Sequence, residues 1–212
     1  MNVTYEKKDA MTFIGYHTEI RPEEGYQRCP EFWDKEYAAK YARLWQMMKP
    51  ENAVEKAILE NGIGMFAICA DSENAFTYWI AGLYKGGEVP EGLELYSFPA
   101  SEWAVFTTKG PMPASLQTLN TAVWQEWFPN EGQKYHANGN ATLEVYSAGN
   151  PQSPDYECGI WVPISGGSDE YDDADEYEAA EIITTPYITA ADLTKDREFY
   201  KAKIENSYDR TN

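Results

Sequence analysis

The chain states one structural plan twice. Residues 12–20, TFIGYHTEI, fit a strand, with Phe13, Gly15 and His17 on one face and Ile14, Tyr16 and Thr18 on the other. Helical sequence follows, then two strand-like runs, IGMFAICA (63–70) and AFTYWIAGLY (75–84). The order recurs from Phe98: a strand at 102–108, a helix at 113–128, and a hairpin of strands at 141–147 and 156–164. Two strand–helix–strand–strand units imply one pseudo-symmetric α+β domain with a groove where the halves meet. Grooves of that kind hold small molecules.

Local signals give the boundaries. Pro30 suits the first turn of a helix over about 31–48. Trp33, Tyr37, Tyr41 and Trp45, spaced by four, put an aromatic stripe along it. A second helix, about 51–60, ends at Asn61-Gly62, where glycine takes the left-handed cap. The apolar run 63–70 reads as a central strand covered on both faces. KGGEVPEGLELYSFPAS (85–101) is a linker with Gly and Pro as breakers. In the second unit Pro113 starts the helix, Leu116, Val123 and Trp127 mark its buried face, and Pro129 ends it. Beyond Ile164 the composition changes. Residues 165–181 hold eight acids and no base, and 189–208 fit a terminal helix. The expected division is therefore a domain over 1–164 and an acidic extension over 165–212.

Charge excludes several functions. A net charge of −18 with no Lys/Arg cluster argues against direct contact with nucleic acid, which needs a basic footprint. The same charge attracts cations and repels anions. Three widely spaced cysteines, Cys29, Cys69 and Cys158, fit free thiols in a reducing compartment. His17 and His136 lie far apart, and no metal or cofactor site is expected. No run approaches the ~20 apolar residues of a membrane span. The N-terminus carries no apolar run of a signal peptide, so the expected location is cytoplasmic.

The segments FPASEWAVFTTKGP (98–111), QEWFPNEG (125–132), LEVY (143–146) and GIWVPI (159–164) carry a resemblance, as do CPEFW (29–33) and TYWIAGLY (77–84) in the first unit. Together they resemble the GyrI-like, or AraC effector-binding, small-molecule-binding domain of SHS2 type, over about 10–164. The resemblance implies a curved antiparallel sheet with helices on one side and a ligand groove along the pseudo-dyad. Members of that family include effector domains of transcription regulators, stand-alone drug-binding proteins, a gyrase inhibitor and hydrolases that open cyclopropane rings. The family's last strand carries a groove-facing Glu just before its IWIP segment, and here that place is Gly159. Glu157 shares a strand face with Gly159 and Trp161. It is either the stand-in carboxylate or an ordinary rim residue.

The groove candidates are Tyr78 and Ile80 from the first unit, and Trp103, Phe106, Tyr146, Glu157 and Trp161 from the second. Trp103 and Phe106 fall on opposite strand faces, so one of them belongs to the core. Tyr146 follows the family's EVY pattern, and Glu144 shares its face. His17 is a structural residue or, less favoured, a pocket acid–base group. An ionised carboxylate among aromatics pairs with a cation; a neutral one donates a proton. The expected function is thus a stand-alone protein, without a DNA-binding domain, that binds a hydrophobic cationic or neutral multi-ring molecule. One alternative is a hydrolase of reactive electrophilic, cyclopropane-type compounds that uses Glu157. Another is an acidic interaction or DNA-mimic protein that meets a protein partner through its tail.

Overall fold

The alternating segments become strands of one antiparallel sheet. In this computed structural model residues 1–46, 48–131 and 134–166 are described. The first unit supplies β2 (Met11–Ile20), β3 (Phe66–Asp71) and β4 (Phe76–Leu83); the second supplies β6 (Ser101–Lys109), β8 (Ala141–Tyr146) and β9 (Glu157–Gly166). Three further strands are β1 (Asn2–Lys8), β5 (Glu94–Phe98) and β7 (Tyr135–Ala137). The order is β1-β6-β9-β8-β3-β4-β2-β5, with β7 beside β9. Read from its centre, the order places β8-β9-β6 on one side and β3-β4-β2 on the other. The halves therefore join along β3 and β8, where Ala67 stands opposite Glu144. This is the expected α+β plan of two strand–helix–strand–strand units. The edges β1 and β5 add to it: β1 zips onto β6 and β5 onto β2.

The sheet curls. Phe98 of β5 and Trp103 of β6 lie towards opposite ends of the strand order, yet their ring centroids are 5.1 Å apart. The helix-free face closes on itself around strand residues only, among them Phe13, Ile68, Trp79, Trp103, Leu143 and Trp161. Each large side chain buried there contributes about 1.5–3 kcal/mol relative to exposure. The opposite face carries the helices over two clusters. Ile14 and Ile80 pack with Tyr37, Tyr41 and Ile58 of the first unit. Phe106, Ile160 and Val162 pack with Leu116, Val123 and Trp127 of the second.

The first helix begins earlier than Pro30 implies. A 3-10 turn at Pro22–Glu24 leads into α1 (Gly25–Phe32), which continues as a π-helical stretch over Trp33–Ala39 and, past a turn at Lys40-Tyr41, into α2 (Ala42–Trp45). Pro30 sits inside α1. It has no N–H to give the Tyr26 carbonyl four residues back. That carbonyl instead accepts from Gln117 Nε2 of the other unit, at 3.1 Å. The π stretch has a wider turn than an α-helix. It offsets the drift of a four-residue repeat, so Trp33, Tyr37 and Tyr41 stay in ring contact.

Helix α3 (Ala53–Asn61) is capped at both ends as its sequence implies. Asn52 accepts from Glu55 N–H at 2.9 Å, and Gly62 takes the left-handed conformation with φ 63°. The following turn lies hard against β4: a Cβ on Gly82 would sit 2.3 Å from the Asn61 carbonyl oxygen. In the second unit α4 (Ala114–Ala122) also passes into a π stretch, Val123–Trp127, and then into α5 (Phe128–Glu131). The helix thus runs through Pro129. The Phe128 N–H reaches back to the Val123 carbonyl, and this widened turn accommodates the proline.

The expected linker at 85–101 contains β5, and the N-terminus forms β1. The expected acidic run and terminal helix fall, but for Ser165 and Gly166 at the end of β9, outside the described residues.

Candidate functional site

A cavity of about 520 Å³ opens on the helical face where the two units meet. Its walls come from helices of different halves: Trp33 and Tyr37 on one side, Leu116 and Asn120 on the other. Its floor is the central pairing of the sheet. Cys69 on β3, Tyr78 on β4, and Glu144 and Tyr146 on β8 all line it. Alternation explains the set, because Glu144 and Tyr146 are two apart in one strand. Leu143 and Val145, on either side of Glu144, belong to the helix-free core instead.

Glu144 is the chemical centre of the floor. Its Oε2 accepts from the Tyr78 hydroxyl at 2.8 Å and from the Tyr146 hydroxyl at 2.5 Å. The Tyr78 oxygen in turn accepts from Trp33 Nε1 at 2.9 Å, so the first helix is tied to the carboxylate. The Cys69 thiol is 3.9 Å from Oε1. Burial pushes the Glu144 carboxyl up from its ordinary value, and the hydroxyl and thiol donors pull the other way without cancelling it. The same burial, with the Glu144 charge added, drives the Tyr78 and Tyr146 hydroxyls and the Cys29 and Cys69 thiols upward. Both thiols are therefore protonated at neutral pH and poor nucleophiles.

The cavity is acidic and aromatic. Asp34, Asp71 and Glu144 line it, and no Lys, Arg or His does so among the described residues. Across its mouth Tyr26 links the halves. Besides the Gln117 bond to its carbonyl, its hydroxyl lies 2.9 Å from Thr121 Oγ1 and accepts from Asn120 Nδ2 at 3.4 Å. Among the described residues no group of three His, Cys, Asp or Glu side chains is placed to hold a metal ion.

The structure gathers only part of the set read from the sequence. Tyr78 and Tyr146 lie on the cavity floor, joined through Glu144. Ile80 is on the same face of the sheet but is fully buried under the first helix, with Ile14 and Tyr37. Phe106 packs edge-on against Trp127 beneath the second helix, ring centroids 4.9 Å apart. Trp103 and Trp161 are on the helix-free face, so both members of the Trp103/Phe106 pair are core. The groove-facing position expected for Glu157 is corrected for the same reason. It shares its pleat with Trp161 and so turns from the cavity. It stands exposed at the start of β9, 3.5 Å from Lys109 Nζ. His17 lies against Trp79 on that face, ring centroids 4.3 Å apart and tilted by 37°, with Nε2 3.4 Å from Glu94. The residue missed as the central carboxylate was Glu144. Its signal was present: an acid between Leu143 and Val145 in an apolar strand, two residues from a tyrosine.

Glu157→Gln is accordingly expected to shift stability by less than about 1 kcal/mol, the scale of an exposed ion pair, and to leave affinity for any cavity ligand unchanged. Denaturant unfolding and titration calorimetry on the variant check this. A tenfold loss of affinity would return Glu157 to the site.

Known proteins share this fold. The structure of SAV2435 bound to tetraphenylphosphonium has the same fold, with a TM-score of 0.62 at 18% identity over 78% of this chain and 95% of that one. The integron cassette protein VCH_CASS2 from Vibrio cholerae aligns with a TM-score of 0.51 at 13% identity, over 77% of this chain and 95% of that one. The transcriptional regulator BrlR of Pseudomonas aeruginosa is 27% identical over 101 residues, 47% of this chain but only 37% of BrlR. The sequence profile of the integron-associated effector binding proteins, Cass2, matches residues 4–164. With that match over most of its length, the chain belongs to the Cass2 family of GyrI-like effector-binding domains.

Proposed function

We propose that this domain binds hydrophobic, multi-ring cations in the cavity between its two units, as a sensing or sequestering protein for such compounds. The observation that carries the reading is the cavity lining among the described residues: three carboxylates, no basic side chain, and a partly buried Glu144 held by two tyrosines. A cation seated there meets the carboxylate and the aromatic faces together. Cation–π attraction adds ~0.5–2 kcal/mol to the charge pairing. Tetraphenylphosphonium, named with SAV2435, is a ligand of this chemistry, and the likeness to that protein supports the reading through the shared fold.

The test is a matched pair of one shape and opposite charge, tetraphenylphosphonium and tetraphenylborate, titrated by calorimetry. The cation is expected to bind at least tenfold more tightly. Equal or reversed affinities would sink the reading. The pH dependence is a second signature. Burial raises the Glu144 pKa, so below that value a cation must displace a proton. Cation affinity should climb as pH rises through the folded pKa and level off above it. The stability term has the opposite course. Since the folded pKa lies above the unfolded one, the contribution of Glu144 is complete below the unfolded value of ~4.3 and is lost as pH rises through the folded value. A bound cation should recover that loss, visible as a thermal shift that grows with pH over the same window. A shift that does not vary with pH would remove Glu144 from the site.

A further inference from the structure

The two oxygens of Glu144 are not equivalent. Both tyrosine hydroxyls converge on Oε2, at 2.8 and 2.5 Å. Tyr78 is held in place by the indole N–H of Trp33 at 2.9 Å. Among the described residues Oε1 meets only the Cys69 thiol, at 3.9 Å. A thiol is a weak donor, whereas an ionised carboxylate offers about four lone-pair sites over its two oxygens. Oε1 is therefore the carboxyl acceptor at the cavity floor that the protein's own donors leave underused. Asp34 and Asp71 also line the cavity but are exposed, so water competes for their oxygens.

We propose that this cavity selects among hydrophobic cations by their hydrogen-bonding capacity: a protonated amine, with an N–H to place on Glu144 Oε1, is preferred over a permanently quaternary cation of the same ring system. The inference rests on the cation-binding reading above and adds the ligand class. The physical reason is an asymmetry of cost. A charge-assisted N–H···O bond is about twice as strong as a neutral one. A quaternary centre brings charge but no donor, and it covers Oε1 without pairing it, which incurs the cost of an unsatisfied acceptor. Hydrophobicity alone would give the opposite order, because the quaternary analogue carries one more methyl group. The tyrosines sharpen the choice. By occupying Oε2 they orient the carboxylate, leaving a single direction from which a ligand proton is accepted.

The experiment uses the full chain at pH 7 with two probes, anthracen-9-ylmethyl-dimethylammonium, which carries one N–H, and its trimethylammonium analogue, which carries none. Titration calorimetry of the wild type is expected to show the N–H cation binding about tenfold more tightly. Equal affinities, or tighter binding of the quaternary probe, overturn the proposal while leaving cation binding in place. If neither probe binds, the cation reading itself fails and takes this inference with it. Glu144→Gln separates hydrogen bonding from shape. Both affinities should fall, and the ratio between the probes should fall towards one. A ratio that stays near ten in Glu144→Gln shows that the extra methyl is excluded sterically, and it overturns the assignment to Oε1.

Discussion

Replacing Glu144 with Gln is expected to weaken tetraphenylphosphonium binding by 1–3 kcal/mol, about five- to 150-fold, while folding stability at neutral pH holds or rises. The loss follows from removing the carboxylate charge at the floor of a cavity whose other acids are exposed. The stability result follows from the direction of the pKa shift. Burial raises the Glu144 carboxyl, so the ionised group is a cost to the folded state at neutral pH. The amide keeps an oxygen to accept from Tyr78 and Tyr146 and brings no charge to desolvate. The two measurements must therefore move apart, affinity down and melting temperature level or up. A variant that loses both would mark Glu144 as a structural residue, and one that loses neither would leave the cavity selecting by shape and stacking alone.

Trp103→Ala is expected to have the largest effect on the fold, about 3–5 kcal/mol of lost stability, the usual scale for deleting a buried Trp. Its side chain is fully buried in the helix-free core, edge-on to Phe98 at 5.1 Å and to Trp161 at 6.4 Å. It is also where the two ends of the curled sheet meet. The ligand prediction is the reverse: protein that remains folded should bind tetraphenylphosphonium with wild-type affinity, because the cavity is on the other face. Chemical unfolding with calorimetry below the transition separates these quantities. Wild-type stability with weakened binding would place Trp103 at the site, as one of the two alternatives for the Trp103/Phe106 pair.

These two residues show what the sequence made legible. Period-two alternation identifies the residues that share a strand face, so Glu144 with Tyr146, and Glu157 with Trp161, were correctly paired. Alternation does not say which face meets the helices. That depends on the curl of the whole sheet, and both faces here are rich in aromatics. The Trp-bearing face of β9 reads like a ligand wall because its cover depends on the curl: Trp161 packs on Trp103 of the neighbouring β6, and Trp103 in turn meets Phe98 of β5 at the opposite end of the strand order.

The six strands of the repeated plan were legible because each buries at least one face. The edges were not. Strand β1 is exposed at most of its positions and carries charged residues at Glu6, Lys7 and Lys8, so it has no hydrophobic pattern to read. Strand β5 has five residues inside a stretch of glycines and prolines, and only Phe98 is buried. Pro30 misled for a different reason. A proline inside a helix orphans a carbonyl, and the acceptance of that carbonyl by Gln117 across the groove is a tertiary event no local rule contains.

The pairings of β1 and β5 have a consequence for how the cavity adapts to ligands. Strand β1 precedes the first unit in the chain yet completes the sheet of the second, and β5 precedes the second unit yet completes the first. The halves are cross-laced: no single cut of the chain separates them with both edge strands still on their partners. A clamshell motion about the line between β3 and β8 would have to carry these laces with it. Ligands of different size are better met by rearrangement above the sheet, where Tyr26 spans the mouth through water-exposed bonds that solvent can replace. The strand pairings that build the floor are long-range and continuous, whereas the contacts over the mouth are single, exposed hydrogen bonds.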